Sequence, residues 1–230
     1  MNRLFIIVLL CLGSFPYTSQ AQEFKFGVKG GVNKTFGGQL TGIASTAQYT
    51  GDTFNAEGEI GFHGGLWTQL SFGRFFIRPE VVYSKLESRF DFPRRPAIYA
   101  VDELSVPFLV GFNIWGPLDV YAGPAYKKVI ESSLEGTEPP DQSIVVQNFP
   151  LSAQAGVKVE FGSFGLDVRY DHSLATAENQ QVDIVNSVYG VNLANFEDAR
   201  LHQVIVSLTI KLWDSANKDK RRRGGRGCYF

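Results

Sequence analysis

From Glu23 to Trp213 the chain alternates apolar and polar residues with a period of two, over eight segments at about 23–36, 57–72, 75–87, 102–115, 118–131, 149–162, 164–175 and 199–213. A period of two puts successive side chains on opposite faces of a strand, so the pattern predicts an all-β fold. In the fourth segment Leu104, Val106, Phe108, Val110, Phe112 and Ile114 share one face, opposite Ser105, Pro107, Gly111 and Asn113. In the eighth, His202, Val204, Val206, Leu208, Ile210 and Leu212 stand against Gln203, Ser207, Thr209 and Lys211. Such faces suit tilted strands crossing a bilayer, which takes about 9–11 residues each. No segment carries the apolar spacing of an amphipathic helix, and beyond the first dozen residues no apolar run is long enough to cross a bilayer as one.

The links add an independent signal, because short and long ones alternate. Phe72-Gly73-Arg74, Gly116-Pro117 and Gly162-Ser163 are tight turns supplied with glycine, whereas 37–56, 88–101, 132–148 and 176–198 are long, polar and rich in Gly, Pro, Asn, Asp and Glu. Short turns on one rim and long loops on the other predict an eight-stranded antiparallel up-and-down transmembrane β-barrel, with short periplasmic turns and long extracellular loops. An open edge is excluded in hydrocarbon, where each unpaired backbone group costs several kcal/mol, so the eighth strand is expected to pair with the first.

Periodicity alone does not say which face looks outward. A soluble lipocalin-type barrel would turn its apolar face inward around a small hydrophobic ligand. The polar face here mixes long charged residues with glycines such as Gly27, Gly31, Gly61, Gly65, Gly156 and Gly165, which suits a crowded lumen better than a face in water. Its charges balance, with Lys25, Lys29, Arg78, Lys158, Arg169 and Lys211 against Glu59, Glu80, Glu160, Asp167 and Asp171. Buried charge is tolerated when paired, and these residues are the expected lumenal network. Phe24, Phe26, Phe72, Phe75, Trp115, Phe161, Phe164 and Trp213 fall near turns or ends, as a periplasmic aromatic rim requires. Arg89, Arg94 and Arg95 form a small basic group in the second long link.

Residues 1–21 have the layout of a secretory signal peptide: Met1-Asn2-Arg3, an apolar stretch from Leu4 to Leu12, and Ser19-Gln20-Ala21 as a cleavage site. Leu10 ahead of Cys11 argues against a lipoprotein signal, and after cleavage Cys228 is left without an intramolecular disulfide partner. Residues 22–213 are the expected barrel domain, and 214–230 a periplasmic tail expected to be disordered. The overall charge of −1 hides a split, because Lys218, Lys220, Arg221, Arg222, Arg223 and Arg226 give the tail +4 while 22–213 carry −6. A basic cluster in the periplasm meets anionic lipid or an acidic protein rather than nucleic acid.

The segments FKFGVKGGVN (24–33), RPEVVYSKLES (78–88), ELSVPFLVGFNI (103–114), VYAGPAY (120–126) and LDVRYDHSL (166–174) resemble the PorT-like outer-membrane β-barrel family of exported bacterial proteins. The resemblance spans almost the whole mature chain. It implies an outer-membrane location, and for some members a part in exporting other proteins. The tail departs from the pattern, since such barrels often stop at the last strand's aromatic residue.

Chemical constellations are sparse. Asp171-His172-Ser173 holds the residue types of an acyl-transfer site, yet neighbours along a strand point to opposite faces, so a lipid hydrolase would need His172 or His202 to converge with an acid from elsewhere. His63 shares the parity of Glu59 and, as a base or ligand, would act with Glu59 or Glu80. Three histidines make a zinc site improbable on composition, and GVKGGVNKT (27–35) lacks a glycine directly before Lys34 and sits in a strand, so it is no phosphate loop. Eight strands enclose no aqueous channel. The expectation is a non-enzymatic, monomeric barrel without a cofactor, supporting the envelope or binding envelope and export proteins. The alternatives are a lipid-modifying hydrolase and a soluble ligand-binding barrel.

Overall fold

The computed structural model describes residues 22–43, 51–138, 144, 149–176 and 179–216. The leader and the basic tail residues Lys218, Lys220, Arg221, Arg222, Arg223 and Arg226, with Cys228, lie outside them.

Among the described residues twelve strands appear in order: β1 (Glu23–Phe36), β2 (Gln39–Gly42), β3 (Thr53–Gly58), β4 (Ile60–Phe72), β5 (Phe75–Phe90), β6 (Ala97–Trp115), β7 (Leu118–Leu134), β8 (Leu151–Phe161), β9 (Phe164–Ser173), β10 (Gln180–Asp183), β11 (Leu193–Asp198) and β12 (His202–Asp214), with a helical turn, α1 (Asn186–Tyr189), between β10 and β11. Eight of them, β1, β4 to β9 and β12, close into an antiparallel barrel through β5–β6 and through β1–β12, where Lys29 faces Thr209 and Val32 faces Val206. Gly73, Gly116 and Gly162 take positive φ in the three tight turns. Apolar side chains cover the outer wall, among them Phe62, Phe108, Val110 and Leu208, each at least half exposed. Phe72, Phe75, Trp115, Phe161 and Phe164 ring the turns, and Phe24 packs on Trp213 at 5.4 Å between ring centroids.

The long links are not simple polar loops, and this corrects the reading of the sequence. β3 leaves β4 at Glu59 and pairs instead with the upper end of β5, Ala56 opposite Phe90 and Gly58 opposite Ser88. The sheet then continues through β2, β11 and β10, forming a cap above the barrel. Gly58 is required at the branch, since a side chain there would run into the Thr35 carbonyl of β1. Under this sheet lies an apolar core in which Leu40, Phe90, Tyr99, Val182, Ile184 and Phe196 are fully buried. Tyr99 and Phe196 meet edge-on at 5.1 Å, and the Tyr99 hydroxyl donates to the Ala199 carbonyl at 3.2 Å.

The strands shared by barrel and cap reverse their polarity where they leave the membrane. On β5 the inward residues run Arg78, Glu80, Val82, Ser84 and then Leu86 and Phe90, while the outward ones run Ile77, Val81, Tyr83 and then Lys85, Glu87 and Arg89. β6 does the same: Leu104, Val106 and Phe108 point outward low down, and Tyr99 and Val101 point inward higher up. In β7 an extra residue, Ile130, is accommodated at the changeover, because Val129 faces Glu103 whereas Glu131 faces Asp102. Such a bulge re-aims the strand beyond it. Apolar outside and polar inside suits lipid; the inverse suits water.

The basic group expected from Arg89, Arg94 and Arg95 is dispersed. Arg89 pairs with Glu57, Glu59 and Asp91; Arg94 donates to the carbonyls of Asn186 and Ser187; Arg95 lies over the Tyr189 ring. Where the cap rejoins β12, Arg200 grips Asp198 through two hydrogen bonds of 2.8 and 2.7 Å. Partial burial raises the Asp198 pKa, but the Arg200 contacts outweigh it and leave the carboxyl below its usual range.

Phe196→Ala should cost the cap about 3–5 kcal/mol, as emptied aromatic core sites do. Hydrogen exchange should speed up in β2, β10 and β11 while the barrel strands and the heat-dependent shift on SDS gels stay unchanged. Equal loss in both parts would mean that cap and barrel fold as one cooperative unit.

Candidate functional site in the lumen

Strand pleating delivers the charged residues. Arg78 and Glu80 on β5, and Asp167, Arg169 and Asp171 on β9, are spaced two apart and so enter the lumen together, each less than 3% exposed.

At mid-height Glu80 is the hub. Arg169 grips both of its oxygens at 3.0 Å, Lys29 Nζ lies 3.1 Å from Oε2, and Arg78 Nε lies 2.8 Å from Oε1. Arg169 also pairs with Asp167 at 3.3 Å, and the Tyr121 hydroxyl donates to Asp167 while accepting from Arg169 Nε at 3.1 Å. The Arg78 guanidinium lies 4.6 Å from the centre of the Trp67 ring. That ring needs Gly27 opposite it, since a side chain there would meet its six-membered edge.

Above the hub, Lys127 bridges Asp171 at 2.9 Å and Glu103 at 3.2 Å, and Gln154 and Gln203 donate to the same carboxylates. Below it, Lys158 joins Asp119 and Glu160, both at 3.1 Å, and Glu160 also receives Lys211 at 2.9 Å and Lys25 at 3.5 Å. Lys211 reaches Asp214 as well, at 3.0 Å. Seven cations and seven carboxylates therefore balance along the barrel axis, and every carboxylate has a cation within 4.0 Å. Beneath this plug a cavity of about 390 Å³ opens at the periplasmic end, lined by Lys25, Arg74, Asn113, Asp119 and Glu160 among others.

The structure thus brings together Lys25, Lys29, Arg78, Glu80, Lys158, Glu160, Asp167, Arg169, Asp171 and Lys211. Glu59 is the exception. It sits at the break between β3 and β4, its side chain 43% exposed and 3.8 Å from Arg89, because the strand period does not run through that break. Glu103, Asp119, Tyr121, Lys127, Gln154 and Gln203 belong to the network although the sequence reading did not single them out. Parity was their signal: Glu103 shares the face of Ser105 and Pro107, and Lys127 that of Tyr121 and Ala125.

The acyl-transfer residues do not converge. Asp171 and Ser173 point into the lumen, each 1% exposed, whereas His172 faces out and stacks on His202, with ring centroids 4.4 Å apart and planes 6° from parallel. His202 Nδ1 instead accepts from the Ser173 backbone N–H at 3.1 Å. His63 meets Ser207 Oγ at 2.8 Å and makes no hydrogen bond or ion pair with Glu59 or Glu80, and among the described residues no three His, Cys, Asp or Glu side chains gather as a metal site.

Removing one partner of a buried pair strands the others, at a cost of about 3–5 kcal/mol. Glu80→Gln, which leaves three cations facing a neutral amide, should lower the unfolding free energy of the refolded barrel, read from urea titration, by that amount, whereas Glu59→Gln should stay within about 0.5 kcal/mol. Equal effects would mean that Glu80 carries no special burden.

No curated protein sequence matches the chain significantly. Among solved structures it is similar to the outer membrane protein OprG of Pseudomonas aeruginosa, at 13% identity and a TM-score of 0.45, over 84% of this chain and 97% of that one. It is also similar to Neisserial surface protein A, at 12% identity and a TM-score of 0.38, over 81% and 97%. A third is Ail of Yersinia pestis, solved with the heparin analogue sucrose octasulfate, at 12% identity and a TM-score of 0.37, over 84% and 100%. The family model described as an outer membrane protein beta-barrel domain matches residues 19–177. With that match over more than half its length, the chain belongs to the outer membrane protein beta-barrel domain family, and its place is the bacterial outer membrane.

Proposed function

We propose that this protein is a non-conducting, non-enzymatic platform in the outer membrane, whose barrel anchors a folded extracellular cap that meets other envelope proteins. The observation that carries the reading is double closure. The lumen is filled by paired charges, and above it the apolar core around Phe90, Tyr99 and Phe196 lies across the outer end. A transport role would require both to move. The divergence of His172 from Asp171 and Ser173 supports a role without catalysis. The PorT-like segments support a link with the export of other proteins, with 1–21 as a cleaved leader and the tail from Asp214 turned toward periplasmic lipid or an acidic partner.

Reconstituted in planar bilayers, the full-length protein should show no porin-like conductance steps; regular openings would overturn the reading. Photo-crosslinkers placed in living cells at Glu135 or Val188, both exposed on the cap, should capture protein partners that a crosslinker at the lipid-facing Leu208 does not. Protein adducts from Leu208 alone would place the interaction on the barrel wall instead.

A further inference from the structure

Eight lysines fall within the described residues, and their distribution is uneven. Lys25, Lys29, Lys127, Lys158 and Lys211 enter the lumen or its mouth, each paired with a carboxylate. Lys34, Lys85 and Lys128 point outward, exposed, and no hydrogen bond or ion pair engages them among the described residues. In the sequence, the stretches 37–59, 86–102, 129–150 and 174–201, whose described residues build the cap, contain 14 acidic residues and four arginines but no lysine at all. With so many carboxylates above, lysines meant to neutralise the cap would be expected within it.

The three lie at one height instead. Lys85 and Lys128 come ten residues after the first residue of β5 and of β7, and Lys34 eleven after that of β1. At about 3.3 Å per residue and a tilt of about 40°, ten residues rise roughly 25 Å, the height of the apolar band of an outer-membrane barrel. Directly below each on the outer wall stands a residue of that band: Val32, Tyr83 and Tyr126. Strand register sets them around five consecutive strands, Lys34 opposite Ile60, Phe62 opposite Lys85, and Leu104 opposite Lys128. Asp102, directly across from Lys85, is engaged by the Tyr83 hydroxyl at 2.7 Å rather than by the lysine.

A lysine whose stem lies along an apolar wall carries its ammonium up to the headgroup level. There the groups of matching charge that surround the whole wall are lipid phosphates. A protein docking at that depth would have to displace the lipid. We propose that Lys34, Lys85 and Lys128 form a girdle that binds the phosphates of a phosphorylated outer-leaflet lipid, fixing the depth of the barrel and holding the acidic cap above the anionic layer.

The test uses the full-length protein in uncharged detergent micelles, titrated with diphosphorylated lipid A and, separately, with the same glycolipid stripped of phosphate. Native mass spectrometry reads the bound fraction, and the heat-dependent gel shift confirms that each variant is folded. The combined K34Q, K85Q and K128Q variant should keep the gel shift and bind diphosphorylated lipid A about a hundred-fold more weakly. The corresponding triple arginine variant should bind as the parent does. Equal affinity for the phosphate-free glycolipid, unchanged binding by the folded glutamine variant, or displacement of lipid by millimolar inorganic phosphate would each overturn the proposal. The last would indicate a site for the free ion.

Discussion

Hydrocarbon offers no partner to a peptide N–H or C=O, and the rest of the molecule follows from that. The β1–β12 pairing removes the edges a sheet would otherwise leave unpaired in lipid. Closure then leaves a narrow lumen that must be filled, and the pleat that turns apolar residues toward lipid turns the intervening residues inward. Those residues are charged. Their burial is sustainable because Glu80 collects three cations, and because Lys127 and Lys158 each sit between carboxylates from two strands.

The same backbone rule does not hold above the membrane, where water satisfies exposed groups. There the chain is free to branch, as β3 does from β4, and to build a second core of the ordinary soluble kind. One strand can serve both media because its two faces exchange roles. Leu86 and Phe90 pack inside at the top of β5, on the face that presents Arg78 and Glu80 lower down. The polarity of a face records which solvent surrounds it at that height.

This explains what the sequence made legible. The number of barrel strands, the alternating links, closure and most of the charge network could be read because each depends on local spacing and on one rule about the bilayer. Glu103 and Lys127 obeyed the same parity but hid within segments dominated by their outward apolar residues, and Lys128 beside Lys127 blurred it further. Glu59 falls outside the network because the period does not continue across a break that only the long-range pairing of β3 with β5 reveals. The cap escaped for a related reason. Its core residues come from links that are each polar on average, and Leu40, Tyr99 and Phe196 meet only through pairings between distant parts of the chain.

The 390 Å³ recess beneath the plug has a consequence for which compartment the lumen belongs to. With the apolar cap over one end and the recess at the other, the ion pairs exchange protons and water by way of the periplasm. A change in the medium outside the cell would meet the cap first, and the network inside would meet it from the periplasmic side. The barrel's interior is, in that sense, a periplasmic compartment carried within the outer membrane.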